Sequence, residues 1–315
     1  MKNNCNNSKK LSAFSLIEIS IVVLIVGILI VGITQSSRLI SLAKVNTAKS
    51  LTQGSPAASI PNMSIWVEST SDSSFEDESI EDGDEVEAWN DINPQASTKA
   101  DLSSTTGPIY KSEVINGLPA ICFNNTTTCG TGTGTTNSLS TANFPNLVSG
   151  NATVFAVVRL PSTLATQSIF GKLTSTDDDP NIKFGTSATA ANGWIFYDQA
   201  DSYSVSGGSV AEASTSYVVS VVYHSNSIST GNNTDSGVAV FQNGAAKGKD
   251  DSTSSPNLSA DGSFVIGEDG SGSGYYTGFL GELIVFDRAL KKEERQSVES
   301  YLGRKCGVKM TTETY

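Results

Sequence analysis

The chain has few basic residues, and they form no cluster. Lys and Arg number 20 against 32 Asp and Glu, so the formal net charge is −12. A surface that follows nucleic-acid phosphates needs a basic face. The composition therefore excludes a nucleic-acid partner.

The chain is also poor in residues suited to catalysis or metal binding. Its single histidine, His224, ends a strand-like run and has no second His or Cys nearby in sequence. We expect it at the rim of a strand rather than in a metal site. The Gly-x-Ser-x-Gly motif of a nucleophile elbow does not occur. The sequence therefore indicates no enzyme activity.

One long hydrophobic run is present, and it contains a carboxylate. Leu16 to Ile33 is apolar or small apart from Glu18, and its 18 residues give about 27 Å of helix, just enough to span a bilayer. Lys residues precede the run and Arg38 is the first charge after it, which predicts a cytoplasmic N-terminus with all later residues outside. A removable signal peptide ending at "SLA" (41–43) and an ordinary signal anchor are the alternatives.

The N-terminal residues resemble a known sorting signal. Residues 9–33 read KKLSAFSLIEISIVVLIVGILIVGI, similar to the class III signal of type IV prepilins and type II secretion pseudopilins. The resemblance implies that a prepilin peptidase cuts between Ala13 and Phe14, that Phe14 is N-methylated, and that Glu18 pairs with the amine of a neighbouring subunit. Ala13 stands where the family usually has Gly. Cleavage would place Glu18 near the membrane interface, where desolvation of a charge is weaker.

Helical spacing continues beyond the hydrophobic run. Gly54 and Pro56 end the pattern, so we predict one helix over about residues 14–53, like the stalk of pilins. The apolar stripe consists of Leu39, Leu42, Val45 (or Ala48) and Leu51. The predicted organisation is a leader (1–13), a transmembrane and stalk helix (14–55), a linker (56–63), a β-sandwich (64–309) and a tail (310–315).

The remaining chain alternates strand-like runs with turn residues. Asn243-Gly244 reads as a hairpin turn, and no helix-length periodic segment interrupts the strands. We predict a mainly β fold, a sandwich of two antiparallel sheets closed by a short helix within 287–307. The predicted strands are 153–160, 168–172, 193–198, 216–224, 237–243, 263–268 and 279–287.

Three segments of this part resemble bacterial concanavalin A-like (jelly-roll), laminin-G-like domains. They are residues 65–91, the stretch VINGLPAICFNN (114–125), and GFLGELIVFDRALKKEERQSVESYLGRKCGV (278–308). The fold hosts sugar binding, adhesion, hydrolysis and plain spacing, so it does not by itself give the function. Glycoside hydrolases of this fold often carry Glu-x-Asp-x-Glu on one strand, and that pattern is absent here.

Two acidic segments, residues 72–91 and TDDDP (176–180), are candidate Ca²⁺ sites, since Ca²⁺ takes six to eight oxygens. The first segment, 72–91, has ten acids and no base; a solvated loop is the simpler interpretation of such runs. Trp89 and Trp194 are candidate sugar platforms, with the core as the favoured location. The metal candidates are Asp72, Asp82, Asp84, Asp177, Asp178 and Asp179.

The four cysteines suggest one disulfide in an oxidising compartment. Cys122 and Cys129 bracket a short loop, and we predict that they pair; a Cys122 to Cys306 bridge is the alternative. Cys5 would leave with the leader.

The sequence as a whole predicts a minor pilin or pseudopilin with a non-catalytic head. We expect a single-pass inner-membrane protein with its C-terminal domain in the periplasm. Its expected partners are the prepilin peptidase, other pilin subunits, the inner membrane, and a glycan or surface protein. A membrane-anchored carbohydrate-binding protein is the alternative, followed by a sandwich-fold glycoside hydrolase.

Overall fold

The computed structural model of the protein describes most of the chain. The described residues are 15–76, 79–123, 137–145, 147, 150–160, 166–173, 180–187, 193–198, 202–205, 212, 214–224, 237–250, 263–270 and 274–311. The chain divides into two compact units, one ending at Ala43 and one running from Lys44 to Tyr315.

The described residues form one long helix, one shorter helix and sixteen strands. The first helix, α1, spans Leu16–Gln53, and the closing helix, α2, spans Lys292–Cys306. The strands are β1 (Met63–Glu68), β2 (Ala88–Trp89), β3 (Leu102–Ser103), β4 (Ile109–Ile115), β5 (Leu118–Phe123), β6 (Leu139–Thr141), β7 (Ala152–Arg159), β8 (Gln167–Leu173), β9 (Pro180–Ser187), β10 (Gly193–Asp198), β11 (Ser202–Val205), β12 (Ser216–His224), β13 (Gly237–Gln242), β14 (Ala245–Asp250), β15 (Phe264–Ile266) and β16 (Gly278–Phe286).

The strands form two antiparallel sheets. Sheet A has the order β14-β13-β12-β7-β16-β5-β4, with β1 also paired to β16, and sheet B has the order β11-β10-β9-β8-β15-β6-β3-β2. One side of β16 pairs with β7 along its length, while its other side pairs first with β5 and then with β1. The predicted antiparallel sandwich with a long N-terminal helix and a short C-terminal helix is confirmed.

Strand β7 explains why sheet A is apolar on both faces. Alternate residues of a strand point to opposite faces. Val154 and Val158 lie in the core between the sheets, whereas Phe155 and Val157 lie in a second core on the other face. That second core is covered by α2, by the last turns of α1 and by the 3₁₀ helix Pro56–Ser59.

Residues 44–63 are part of the same compact unit as the sandwich, which therefore begins before the predicted start of the sandwich at residue 64. Ala48 of α1 is buried, as are Ala57 and Ile60 of the predicted linker. Ser55 caps the 3₁₀ helix by accepting a hydrogen bond from the amide of Ala57 at 3.2 Å. The segment 56–63 is a packed part of the second core.

The hairpin between β13 and β14 forms at the predicted dipeptide. Asn243 has φ 52° and Gly244 has φ 81°, and two consecutive positive φ angles are what a type I′ turn requires. A Cβ on Gly244 would lie 2.5 Å from the carbonyl oxygen of Thr311. The turn therefore needs glycine for its conformation and for the close approach of the C-terminal segment.

Helix α2 lies on the outer face of sheet A. Val298, Tyr301 and Leu302 are buried at a spacing that makes one apolar stripe. Within the same interface Arg295 donates to Glu299 at 2.6 Å, and Ser220 of β12 donates to Glu299 at 2.5 Å. The helix ends at Gly307, which has φ 65° in the left-handed conformation that favours glycine.

Candidate functional site

The start of α1 shows what Glu18 contacts within its own chain. The Glu18 Oε2 atom accepts a hydrogen bond from the backbone amide of Ser15 at 2.9 Å, and the Ser15 hydroxyl accepts one from the amide of Ile17 at 3.4 Å. Ser15 and Glu18 thus resemble a capping box, which satisfies amides left open at a helix N-terminus. A Ser-x-x-Glu spacing was readable in the sequence, and our sequence analysis missed it.

The predicted cleavage site itself lies outside the described residues. Neither Ala13 nor Phe14 is among them, so the processing of the leader stays a prediction. Glu18 sits in the first turn of α1, where the positive end of the helix dipole favours a carboxylate.

The described apolar side chains near the start of α1 are exposed on every side of the helix. Ile17, Val22 and Val23 are each 58 to 67% exposed within this chain, and at 100° per residue they point in different directions around the axis. Among the residues whose side chains the structure describes, no helix reaches the length and hydropathy that mark a candidate membrane span.

The first acidic segment is held by pairing with basic residues. Asp72 pairs with Lys49 of α1, and Asp82 accepts a hydrogen bond from Lys111 at 2.7 Å. The bond from Lys111 holds the pKa of Asp82 below its usual value. Asp84 accepts a bond from the amide of Glu81 at 2.7 Å. These carboxylates stabilise loops.

Buried Asp91 completes the same segment as a structural residue. Its Oδ1 accepts from the amides of Trp66 and Asn93, both at 2.9 Å, and its Oδ2 accepts from the amide of Ala100 at 3.2 Å. Within the described residues no group of three or more His, Cys, Asp or Glu is arranged to hold a metal ion. Asp177, Asp178 and Asp179 lie outside the described residues.

A surface pocket of about 370 Å³ opens beside the acidic segment. It is lined by four acidic and four apolar residues. The lining residues are Phe75, Glu76, Ile80, Asp84, Glu85, Val86, Glu87 and Ala88. Such a pocket would favour a cationic group over a neutral or anionic one.

Both tryptophans proposed as sugar platforms are core residues. Trp89 and Trp194 are fully buried. The Trp89 indole donates to the carbonyl oxygen of Glu68 at 2.9 Å, and the Trp194 indole donates to Gln242 at 2.8 Å. The platform hypothesis is therefore wrong for both, because neither ring has a face open to a ligand.

Cys122, Cys306 and His224 are buried as well. Cys122 is disulfide-bonded, whereas Cys306 is a buried free thiol. The alternative Cys122 to Cys306 bridge is therefore wrong, and pairing with Cys129, which lies outside the described residues, stays a prediction. His224 is buried rather than at a rim, and burial lowers its pKa.

The feature that sequence reasoning missed is a buried charge cluster, which we call the Lys305 cluster. It comprises Glu68 of β1, Glu282 of β16, Lys305 and Tyr301 of α2, and Thr52 of α1. The Lys305 Nζ atom donates to Glu68 Oε2 at 2.7 Å, to Glu282 Oε2 at 2.8 Å and to Thr52 Oγ1 at 2.7 Å. The side chains of its three charged members are at most 2% exposed.

The remaining lone pairs of the two carboxylates are also satisfied. Glu282 Oε1 accepts from the Tyr301 hydroxyl and from the Trp66 indole, both at 2.8 Å. Glu68 accepts from the amide and hydroxyl of Thr70 at 2.8 and 2.5 Å. The sequence signal was Glu282 within the otherwise apolar run of β16, because a carboxylate on a buried strand needs a cation.

Chemically, this carboxylate pair is a structural group. Both carboxylates are buried, and Lys305 lies between them. A glycosidase pair instead flanks a substrate, with one carboxyl free to protonate a leaving group. The Lys305 cluster joins the last turns of α1 to β1, β16 and α2.

Comparison with known proteins places the fold. Residues 133–294 match the model of the concanavalin A-like lectin/glucanases superfamily. The chain belongs to this superfamily. No curated protein matches the sequence significantly.

Several solved structures show a limited similarity to this chain. The receptor-binding domain of botulinum neurotoxin type G is 12% identical, with 77% of this chain and 51% of that one covered and a TM-score of 0.48. Domain 4 of AbnA, a GH43 extracellular arabinanase from Geobacillus stearothermophilus, in complex with arabinotriose, is 14% identical, with 63% and 82% covered and a TM-score of 0.42. Trypanosoma rangeli sialidase is 12% identical, with 78% and 33% covered and a TM-score of 0.43. These likenesses concern the fold alone.

Proposed function

We propose that the protein is a minor type IV pilin or a type II secretion pseudopilin. In this proposal its N-terminal helix is anchored in the inner membrane and then enters a filament, while the sandwich forms a non-catalytic head in the periplasm or on the cell surface. The observation that carries the proposal is the N-terminal sequence KKLSAFSLIE, whose last three residues begin the unbroken helix Leu16–Gln53.

The two parts of α1 fit the two roles of a pilin stalk. Exposed apolar side chains surround its described N-terminal part, from Leu16 to Val31. A helix that is apolar all round suits lipid or a bundle of like helices. The part from Lys44 to Gln53 belongs to the sandwich unit, so the last turns of the helix are part of the head.

Glu18 fits an assembly role because it is the only charge in the run from Leu16 to Ile33. Its carboxylate lies in the first turn of α1, and in sequence Glu18 is four residues after Phe14, where cleavage would create an ammonium. Within one chain it accepts a bond from the Ser15 amide. A neighbouring amine would add a charge-assisted bond, roughly twice as strong as a neutral one.

A non-catalytic head is supported by the state of its described acids. Glu68 and Glu282 share Lys305, and Asp72 and Asp82 pair with lysines. Function then falls to the surface loops, and the acidic pocket beside residues 75–88 is the part of that surface most suited to a partner with basic groups.

Replacing Glu18 by Ala tests the proposal. We expect unchanged or better membrane insertion, since an apolar side chain suits the bilayer. Incorporation into sheared filaments should fall about tenfold or more, because a loss of about 1.4 kcal/mol per contact is already tenfold. Glu293→Ala, which removes an exposed acid of the head outside the acidic pocket, is the matched control. Equal filament content for Glu18→Ala and Glu293→Ala would contradict the proposal.

A membrane-anchored carbohydrate-binding protein is the second candidate, favoured by membership of the lectin/glucanases superfamily. It predicts glycan binding by the head and no filament defect in Glu18→Ala. A polysaccharide panel distinguishes three outcomes. Binding without sugar release fits this candidate, release abolished by one carboxylate substitution would indicate an enzyme, and neither result leaves the pilin proposal standing alone.

A further inference from the structure

The Lys305 cluster contains two acids and one base. When all three side chains are ionised, the cluster carries a net charge of −1 at a site that is at most 2% exposed. An uncompensated charge in such a site costs several kcal/mol. One additional proton would make the cluster neutral, and the hydrogen bonds decide which group could hold it.

Glu68 is the less favourable place for that proton. Its Oε2 accepts from Lys305 and from the amide and hydroxyl of Thr70, and its Oε1 accepts from the amide of Ser71 at 2.5 Å and the hydroxyl of Ser74 at 3.2 Å. Three of these five donors are backbone amides or an ammonium, which cannot accept a proton in return. Glu282 has only three donors within the described residues, so the carboxylate form of Glu68 is the more strongly stabilised of the two.

Glu282 has a neighbour that can reverse its bond. The Tyr301 hydroxyl lies 2.8 Å from Glu282 Oε1 and 3.2 Å from Thr52 Oγ1, and the bond to Thr52 can run in either direction. A protonated Glu282 would donate to the Tyr301 oxygen, which would then donate to Thr52. The Thr52 hydroxyl already donates to the carbonyl oxygen of Ala48 at 3.1 Å, so the chain of bonds stays complete.

We propose that Glu282 exchanges one proton with solution between alkaline and mildly acidic pH, and that this proton sets how tightly the sandwich holds the last turns of α1. Thr52 and Ala48 lie in those turns, so the proton on Glu282 is linked to the helix through two hydroxyl groups. The proton enters as H⁺ and no other bond is made or broken.

The other titratable groups around the cluster stay in one state over this pH range. Although burial opposes its charge, the Lys305 ammonium and the bonds from Thr70 hold the pKa of Glu68 below its usual value of 4.5. The pKa values of Tyr301 and of Lys305 lie well above their usual values, the first through burial and the second through the two carboxylates, which outweigh its burial. Burial raises the pKa of Cys306 to about 12.

Tyr110, which faces Glu68, has its pKa raised by burial to about 12 and also stays neutral. Burial raises the pKa of Glu282 above 4.5. An acid with a raised pKa binds its proton more tightly in the folded state, so its contribution to stability is fully present below pH 4.5 and is lost as the pH rises through the folded pKa. The lowered pKa of Glu68 has the opposite effect on stability. Its contribution is present above pH 4.5 and is lost as the pH falls through the folded pKa.

Hydrogen exchange on the full chain in detergent micelles tests the proposal. Protection factors of the amides 44–53, corrected for intrinsic exchange, should rise as the pH is lowered from the alkaline side towards 4.5, by up to about tenfold per pH unit, the limit for one proton. The slope should vanish in Glu282→Gln and persist in Glu293→Gln, which alters an exposed acid of α2. A wild-type slope of zero, or an equal slope in Glu282→Gln, would overturn the proposal.

Difference infrared spectroscopy on the wild type supplies a readout that does not depend on a variant folding well. A protonated carboxyl band should grow over the same pH range as the change in protection. Absence of that band, or its retention in Glu282→Gln, would also overturn the proposal.

Discussion

Replacing Lys305 by Met would remove the cation from the Lys305 cluster while keeping much of the side-chain volume. Glu68 and Glu282 would then lie buried and unpaired, with their mutual repulsion added. Breaking a buried pair by removing one partner costs about 3 to 5 kcal/mol, and Lys305 serves two carboxylates, so we expect a loss at the upper end of that range. Urea unfolding of a fragment spanning residues 44–315 would measure it at neutral pH.

Lys49→Met is the matched control, because it breaks the exposed pair with Asp72. Exposed pairs contribute less than about 1 kcal/mol. The defect of Lys305→Met should shrink as the pH falls towards 4.5, since the buried carboxylates can then take up protons. A Lys305→Met variant within about 0.5 kcal/mol of the wild type at neutral pH would refute the idea that this cluster stabilises the unit, since buried pairs cost far more to break.

Three further results are expected. A fragment starting at residue 60 should unfold at lower urea than one starting at residue 44, because it lacks Thr52 and the buried Ala48; equal midpoints would show that the last turns of α1 contribute nothing. Non-reduced peptide mapping should join Cys122 to Cys129, a loop for which the entropic model gives roughly 2.5 kcal/mol, and another partner would correct the pairing. Calcium should leave the melting temperature unchanged if lysines satisfy Asp72 and Asp82 as described, whereas a rise would indicate a site in the remaining acids.

Several long buried strands could be predicted from the sequence, whereas the strands at the ends of the two sheets, and interior strands such as β5 and β9, could not. β7, β12 and β16 are long apolar runs because both of their faces are covered. The edges of the two sheets are β14, β4, β11 and β2, and each was missing from the predicted strands. β14 reads AAKGKD, and lysines of this kind are typical of edges that must not pair with another chain.

The Lys305 cluster was missed because its members are far apart in sequence. In sequence, most of the sandwich lies between Glu68 and Lys305. The helix dipole alone explains a cation in the last turn of α2, so Lys305 gave no sign of a buried partner. Only the pairing of β1 with β16 brings Glu68 beside Glu282. For a similar reason, the sequence could not decide whether Trp89 and Trp194 are buried. Burial depends on which face of a sheet a residue lies on and on what covers that face.

The central claim is that the chain is processed and assembled as a pilin subunit, and mass spectrometry of its mature N-terminus tests this most directly. Protein isolated from membranes should begin at N-methylated Phe14, without residues 1–13. A chain that begins at Lys44, after cleavage of a signal peptide at Ala43, or one that retains Met1 would contradict the account.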